Sequence, residues 1–316
     1  MRMTLKLLIY GGLIVFAPIL LISVILPWIT MSEKPSEIFR VRTALEQEGR
    51  KIYIENGCTY CHTQFVRNID WGLGAERIAQ SGDYVAERPH LLGSERTGPD
   101  LSQAGGEHPD DWHLAHHTNP RYVRPESIMP ASEYLRKEKL QALIAYIQAS
   151  GFKHADGRVD RQRYWKKKAI EAYEAGPDDN VAWLHAMVPE PWRKLPNPYP
   201  TTDVGLARGH RIYQGFCIGC HGPIGDGMGP AQAYLYPPPL NFTLLKDRGV
   251  TGGILYYQIM NGITGTSMPY FKRELESEKI WDVGNYVAVT FIGQSDAGGE
   301  PKGIDASYVT PVKKAQ

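Results

Sequence analysis

The pattern of apolar and polar positions changes character once, near residue 31. Before that point no residue is charged from Leu7 to Ile29. At about 1.5 Å of rise per residue, a helix of this length crosses a hydrocarbon core of roughly 30 Å. A cleaved leader would carry about 7–15 apolar residues closed by a small-residue site, whereas this run ends Leu26-Pro27-Trp28-Ile29. An uncleaved transmembrane anchor is therefore expected at residues 1–31. Arg2 and Lys6 precede the run and the mixed segment Ser32-Glu33-Lys34-Pro35-Ser36-Glu37 follows it, so the positive-inside rule places the N-terminus in the cytoplasm and the rest of the chain outside it. Pro18 is expected to kink this helix rather than end it.

Beyond the anchor, apolar residues recur at helical spacing in four short segments separated by Gly- and Pro-rich stretches. Ala44, Leu45 and Ile52 mark one, and Leu206 and Ile212 mark a second. The runs Leu140 to Ile147 and Ile280 to Val287 mark two closing helices, with Tyr146 and Tyr286 equivalently placed. The pentapeptides Gly49-Arg50-Lys51-Ile52-Tyr53 and Gly209-His210-Arg211-Ile212-Tyr213 repeat one another, so the chain carries a duplicated helical domain. Each closing helix is expected to pack on the helix that opens its half, with Gly284 permitting close approach. The resulting map is an anchor (1–31), a first domain (32–150), a connector (151–200), a second domain (201–295) and a polar tail (296–316). Within the connector, Arg161 to Lys168 reads as a solvated helix face or as a patch for a partner or lipid. Pro189, Pro191, Pro196, Pro198 and Pro200 read as an extended spacer.

Composition narrows the classes. The 316 residues hold 35 Lys+Arg against 34 Asp+Glu, a net charge of +1; this gives no electrostatic footprint for nucleic acid and no disordered, charge-rich chain. With 32 Gly and 23 Pro, short elements joined by long loops are expected, which disfavours a large helical bundle and a doubly wound parallel sheet; with the helical segments above, the expected fold is mainly α.

The only four cysteines form two pairs, Cys58-Thr59-Tyr60-Cys61-His62 and Cys217-Ile218-Gly219-Cys220-His221. This is the attachment pattern of c-type haem, in which two thiols form thioethers and the adjacent His ligates iron. Three other uses of C-x-x-C compete: a redox pair, half a zinc site and a disulfide. A redox pair wants a helix opening after it, which Gly222-Pro223-Ile224-Gly225-Asp226-Gly227 breaks. Zinc would need further ligands, and the pairs lie too far apart in sequence to complete one finger. Two covalently bound haems c are expected, held by Cys58, Cys61, Cys217 and Cys220, with His62 and His221 on iron.

A low-spin electron-transfer haem takes a second axial ligand, and a Met thioether raises the potential. Ile128-Met129-Pro130 and Ser267-Met268-Pro269 each place a Met before a Pro in a loop ahead of a closing helix. The Pro restricts that Met to extended backbone. Met187 and Met260 lie in helix-like surroundings, and Met228 is too near His221 to cross to the opposite face. Met268 is the candidate in the second half. In the first, Met129 competes with His108, His113, His116 and His117, since imidazole also ligates haem iron.

With those residues assigned, the first half closely resembles the membrane-anchored mono-haem cytochrome c subunit (subunit II) of cbb3-type cytochrome c oxidases. The resemblance runs through Thr43 to Glu46, Gly49-Arg50, Tyr53 to Cys58, Cys61 to Gln64, Gly93 to Leu101, Asp111-Trp112-His113, Asn119-Pro120-Arg121 and Pro125 to Pro130. It implies Met129 as the sixth ligand. The second half looks like a class I cytochrome c domain of the kind found in the dihaem subunit of those oxidases, on Gly222 to Gly229 and Thr266 to Pro269. The implied architecture is a transmembrane helix followed by two class I cytochrome c domains with long loops. The family's subunit II ends after one haem, so this chain reads as a fusion.

The function expected from this is a dihaem subunit in the bacterial inner membrane, with its haem domains periplasmic. It would pass single electrons from an external donor, such as a small cytochrome c, to the haem-copper subunit of a terminal oxidase. Catalysis would lie elsewhere, because six-coordinate irons leave no open position. Other assignments stay open on these residues: a subunit of a nitric oxide reductase or other respiratory complex, a freestanding membrane shuttle, and a dihaem peroxidase. No nucleic-acid partner is expected.

Overall fold

The computed structural model describes residues 4–30, 34–73, 77–93, 96–199 and 201–294. Arg2, Ser32, Glu33, the Ser94-Glu95 step of the resemblance, Pro200 and the tail 296–316 lie outside the described residues. Every regular element among those described is helical. The chain divides into two compact units, one of residues Met1–Val41 and Val66–Leu91, the other of Arg42–Phe65 and Leu92–Gln316.

The first unit contains helix α1, Leu5–Thr30, with a mean hydropathy of 2.6 and no buried residue in its apolar window. It is long and apolar enough to cross a membrane. The helix continues through Pro18 and shifts to π-type hydrogen bonding over Leu21–Ile25, a common accommodation where a Pro interrupts the ladder. Ser23 and Thr30 turn their hydroxyls back onto the carbonyls of Ile19 and Leu26, so both hydroxyls are satisfied within the helix. The other described residues of this unit form loop and short 3-10 turn. It is tied by the amide of Ser36 on the carbonyl of Gly82 and by a buried Arg77–Asp83 ion pair.

The second unit holds both repeats. Its helices are α2 (Ala44–Glu55), α3 (Asp110–Thr118), α4 (Lys137–Gln148), α5 (Phe152–Ala175), α6 (Pro177–Ala186), α7 (Glu190–Arg193), α8 (Asp203–Phe216), α9 (Ile218–His221), α10 (Gly252–Asn261) and α11 (Ser277–Val287). Helix α2 opens on a capping box, with Thr43 accepting from the Glu46 amide and Glu46 reaching back to Thr43. Helix α4 packs on α2 and α11 packs on α8. The repeat pentapeptides make both crossings. A Cβ on Gly49 would fall 1.8 Å from the carbonyl oxygen of Ala142, and one on Gly209 would fall 2.3 Å from that of Asp282. The Tyr53–Tyr146 and Tyr213–Tyr286 ring pairs beside them have centroids 5.3 and 5.5 Å apart.

Gly284 does not play the part expected of it. Its Cβ position would make ordinary contact, 3.9 Å from the side chains of Leu255 and Ile259 on α10. The close approach of α8 and α11 is set from the other helix, at Gly209.

The proline-rich stretch is not a free spacer either. Val188 is fully buried in the second core, Trp192 stacks on Tyr256, and Asn197 donates to Asn285 at 2.7 Å. Its aromatic and aliphatic side chains find apolar surface on α10 and α11, and that burial outweighs the extended preference of its prolines. The basic run lies on α5, where Lys166 pairs with Asp111 and Lys168 with Glu171.

Candidate haem sites

Both C-x-x-C-H segments close the helix before them with one further turn. After α2, Gly57 adopts a left-handed conformation (φ 68°) and the amide of His62 donates to the carbonyl of Cys58 at 3.0 Å. After α8, the amide of His221 donates to the carbonyl of Cys217 at 2.9 Å. Two thiols and an imidazole thus issue from a single helical turn at each site.

The imidazoles are fixed in the same way. His62 Nδ1 lies 2.8 Å from the carbonyl oxygen of Pro99, and His221 Nδ1 lies 3.3 Å from that of Leu240. A carbonyl only accepts, so each Nδ1 carries the proton and each Nε2 keeps its lone pair for a metal. Burial reinforces the neutral form, lowering the His62 pKa and taking His221 down to about 4. The His62 ring lies on Gly98, where a Cβ would fall 2.3 Å from Cε1. The His221 ring stacks on Phe242 with centroids 4.4 Å apart.

Around the first site, Asp100 organises the neighbouring backbone. Its carboxylate accepts from Thr63 Oγ1 and the Phe65 amide on one oxygen, and from the Ser102 amide and hydroxyl on the other. Arg96 donates to Thr63 Oγ1 and to the Phe65 carbonyl. These bonds hold residues 98–101 beside 61–65 and so set the Pro99 carbonyl against His62. Met129 is half-buried in the loop before α4, and Arg121 donates to its carbonyl and to that of Ser127. On α3, Trp112 stacks between His108 and His116, at 3.7 and 4.7 Å. His113 Nε2, His116 Nδ1 and both ring nitrogens of His117 are buried without a partner. Burial lowers the pKa of all four histidines.

At the second site the four residues singled out in the sequence come together. Cys217, Cys220, His221 and Met268 all line one cleft with about 1260 Å³ of free space, part of it open to solvent. Leu240, Phe242 and Phe271 are among its apolar walls. An apolar cleft carrying two thiols, one imidazole and one thioether matches the donor set of haem c.

The competing uses of C-x-x-C find little support. Burial pushes the Cys58 thiol up to about 11 and those of Cys217 and Cys220 up to about 12, opposite to the depressed values of reactive redox thiols. Among the described residues no three His, Cys, Asp or Glu side chains group as a metal site, so zinc lacks further ligands. None of the four cysteines is paired in a disulfide. Sequence reasoning missed the carbonyls of Pro99 and Leu240, because a backbone acceptor leaves no residue signature.

Residues 1–175 match the family described as cytochrome c oxidase, mono-haem subunit/FixO. The chain belongs to this family. Residues 205–287 of the FixO-family chain match a second description, cytochrome c oxidase, cbb3-type, subunit III. It is thus a cytochrome c subunit of a cbb3-type oxidase: a membrane-associated electron-transfer protein with covalently bound haem c that assembles with the haem-copper catalytic subunit. The apolar α1 fits a single-pass membrane protein. No curated protein matches. A solved structure, a Kuenenia stuttgartiensis reducing HAO-like protein complex, is similar over 80% of this chain and 98% of its own at 20% identity, with a TM-score of 0.27.

Proposed function

We propose that this FixO-family chain is a dihaem subunit that passes single electrons from an external donor, such as a small cytochrome c, to the haem-copper catalytic subunit. Haem c, when bound, supplies reversible one-electron chemistry at iron. Cys58 and Cys61 hold one group covalently, and Cys217 and Cys220 the other. His62 and His221 present Nε2 to the irons, with Nδ1 committed to the Pro99 and Leu240 carbonyls. Met129 and Met268 would supply the remaining iron ligands, and a thioether there would favour the ferrous state. No position stays open for substrate, which separates this reading from a peroxidase. The single observation that carries it is the cleft that gathers Cys217, Cys220, His221 and Met268.

The first half, matching the mono-haem subunit and following the anchor directly, is assigned to the electron exit toward the catalytic subunit. The second half is assigned to the entry. Lys6 before the apolar run and the mixed flank after it support a cytoplasmic N-terminus in the bacterial inner membrane, with both haem domains periplasmic. Mild-detergent purification of the tagged chain, with haem quantitation and mass identification of its partners, tests the proposal. Two haems c per chain and a co-purifying polytopic subunit that consumes oxygen are expected. Nitric oxide consumption instead would move the chain to a reductase. A chain crosslinked to no partner in membranes would be a freestanding shuttle.

A further inference from the structure

Met268 reaches the second cleft from a loop, residues 262–269, that is held from two directions. Its own half supplies the nearest bonds: the Met268 amide donates to Thr266 Oγ1 at 3.2 Å, and the Met268 carbonyl accepts from the Ile263 amide at 3.2 Å. The other anchors come from the region matched to the mono-haem family. Ser267 Oγ donates to Asp111 Oδ1 at 3.0 Å. The Gly265 amide donates to Gln162 Oε1 on α5 at 2.8 Å. Gly265, at φ 89°, lies so near α5 that a Cβ would fall 2.3 Å from the backbone carbon of Trp165.

Asp111 is the centre of this contact. Besides Ser267 it accepts from Lys166 Nζ, from the Tyr236 amide at 3.1 Å and from its neighbour Trp112's amide at 3.0 Å. A carboxylate offers about four acceptor positions, and these donors fill them in surroundings where the side chain keeps 16% of its exposure. Bonds to an ionised acceptor are stronger than neutral ones. Tyr236 in turn leads into residues 237–240, which wall the cleft and carry the Leu240 carbonyl that orients His221. One carboxylate of the first half therefore grips the loop before Met268 and the segment that fixes His221.

We infer that Asp111 is a positioning residue for the second haem site, holding Met268 on iron from the first half of the chain through Ser267. The inference rests on the reading of Met268 as an axial ligand. It makes the potential of the second haem depend on the presence and packing of the first domain.

The test uses the intact ferric holoprotein in detergent, with imidazole as the probe. Imidazole binds only when Met268 has left the iron, so its apparent affinity reports the fraction of open loop. Asp111→Asn, nearly isosteric but uncharged, is expected to raise imidazole affinity at the second iron about tenfold, the scale of a lost charge-assisted bond. It should also lower that haem's midpoint potential. Ser267→Ala should act in the same direction and less strongly, and it decides the matter alone if Asp111→Asn does not assemble. In a Met268→Ala background, Asp111→Asn should change imidazole affinity by less than about twofold, because the step it governs is gone. Unchanged affinity and potential in both single variants would overturn the inference, as would an equal rise in the Met268→Ala background. If Met268→Ala itself leaves the affinity at its native value, the axial assignment has failed instead.

Discussion

Gly209 lies against the backbone of Asp282 so closely that a Cβ would fall 2.3 Å from the Asp282 carbonyl oxygen. The neighbour is helix backbone, which cannot swing aside as a side chain would. Gly209→Ala should cost about 3 kcal/mol, the upper range for overpacking, and Gly49→Ala should cost at least as much. Gly284→Ala meets ordinary contacts at 3.9 Å and should cost under about 1 kcal/mol, because Ala favours helix. Urea unfolding of the holoprotein, followed by loss of haem-region dichroism, ranks the three.

These glycines show how the fold could be read. The repeat containing Gly49 and Gly209 was visible as a repeat, and so were the helices it opens and those that cross it. Which glycine made room was not visible, because Gly209 and Gly284 are equally small and only the crossing geometry tells them apart. The same limit governed the site. Cys217, Cys220 and His221 follow from local spacing, and Met268 from its Pro and its position. The carbonyl of Leu240, the carboxylate of Asp111 and the packing of Trp192 on Tyr256 depend on chain segments meeting at long range, and no local pattern records that. Asp111 stood in the sequence only as part of Asp111-Trp112-His113, with no role attached.

Met268 shares one cleft with His221, and the proline after it limits how far its backbone can withdraw. Met268→His should therefore abolish the Met-to-iron charge-transfer absorbance of the second haem and lower its potential, with the fold kept. Met129→His should do the same at the first haem. Absorbance unchanged in either variant would remove that Met from the ligand set, and for Met129 it would return the first site to His108, His113, His116 or His117.

The thiols of each pair sit on one helical turn with their histidine, so each site carries its own attachment residues. Cys217→Ala combined with Cys220→Ala should halve the haem content, from two per chain to one, and leave the first haem's absorbance in place. Cys58→Ala with Cys61→Ala should leave the second. Haem quantitation by alkaline pyridine, together with the mass of the intact chain, checks both. Loss of both haems from either pair of substitutions would show that the halves mature as one unit.

His108 stacks on Trp112 with centroids 3.7 Å apart, and burial lowers its pKa to about 4. In the unfolded chain the same group titrates near 6.5. Between those values the unfolded state binds a proton that the native state refuses, so this group's contribution is present above pH 6.5 and is lost as pH falls toward 4. Each tenfold difference in proton affinity between the two states is worth about 1.4 kcal/mol. Partial exposure of the ring reduces what is realised, so a loss of about 1–2 kcal/mol from pH 7 to pH 5 is assigned to His108. His108→Gln keeps a flat polar group against Trp112 and removes the titration. Its urea midpoint should fall less than the native protein's over the same pH interval, and equal falls would place the acid sensitivity at the histidines of α3, His113, His116 and His117.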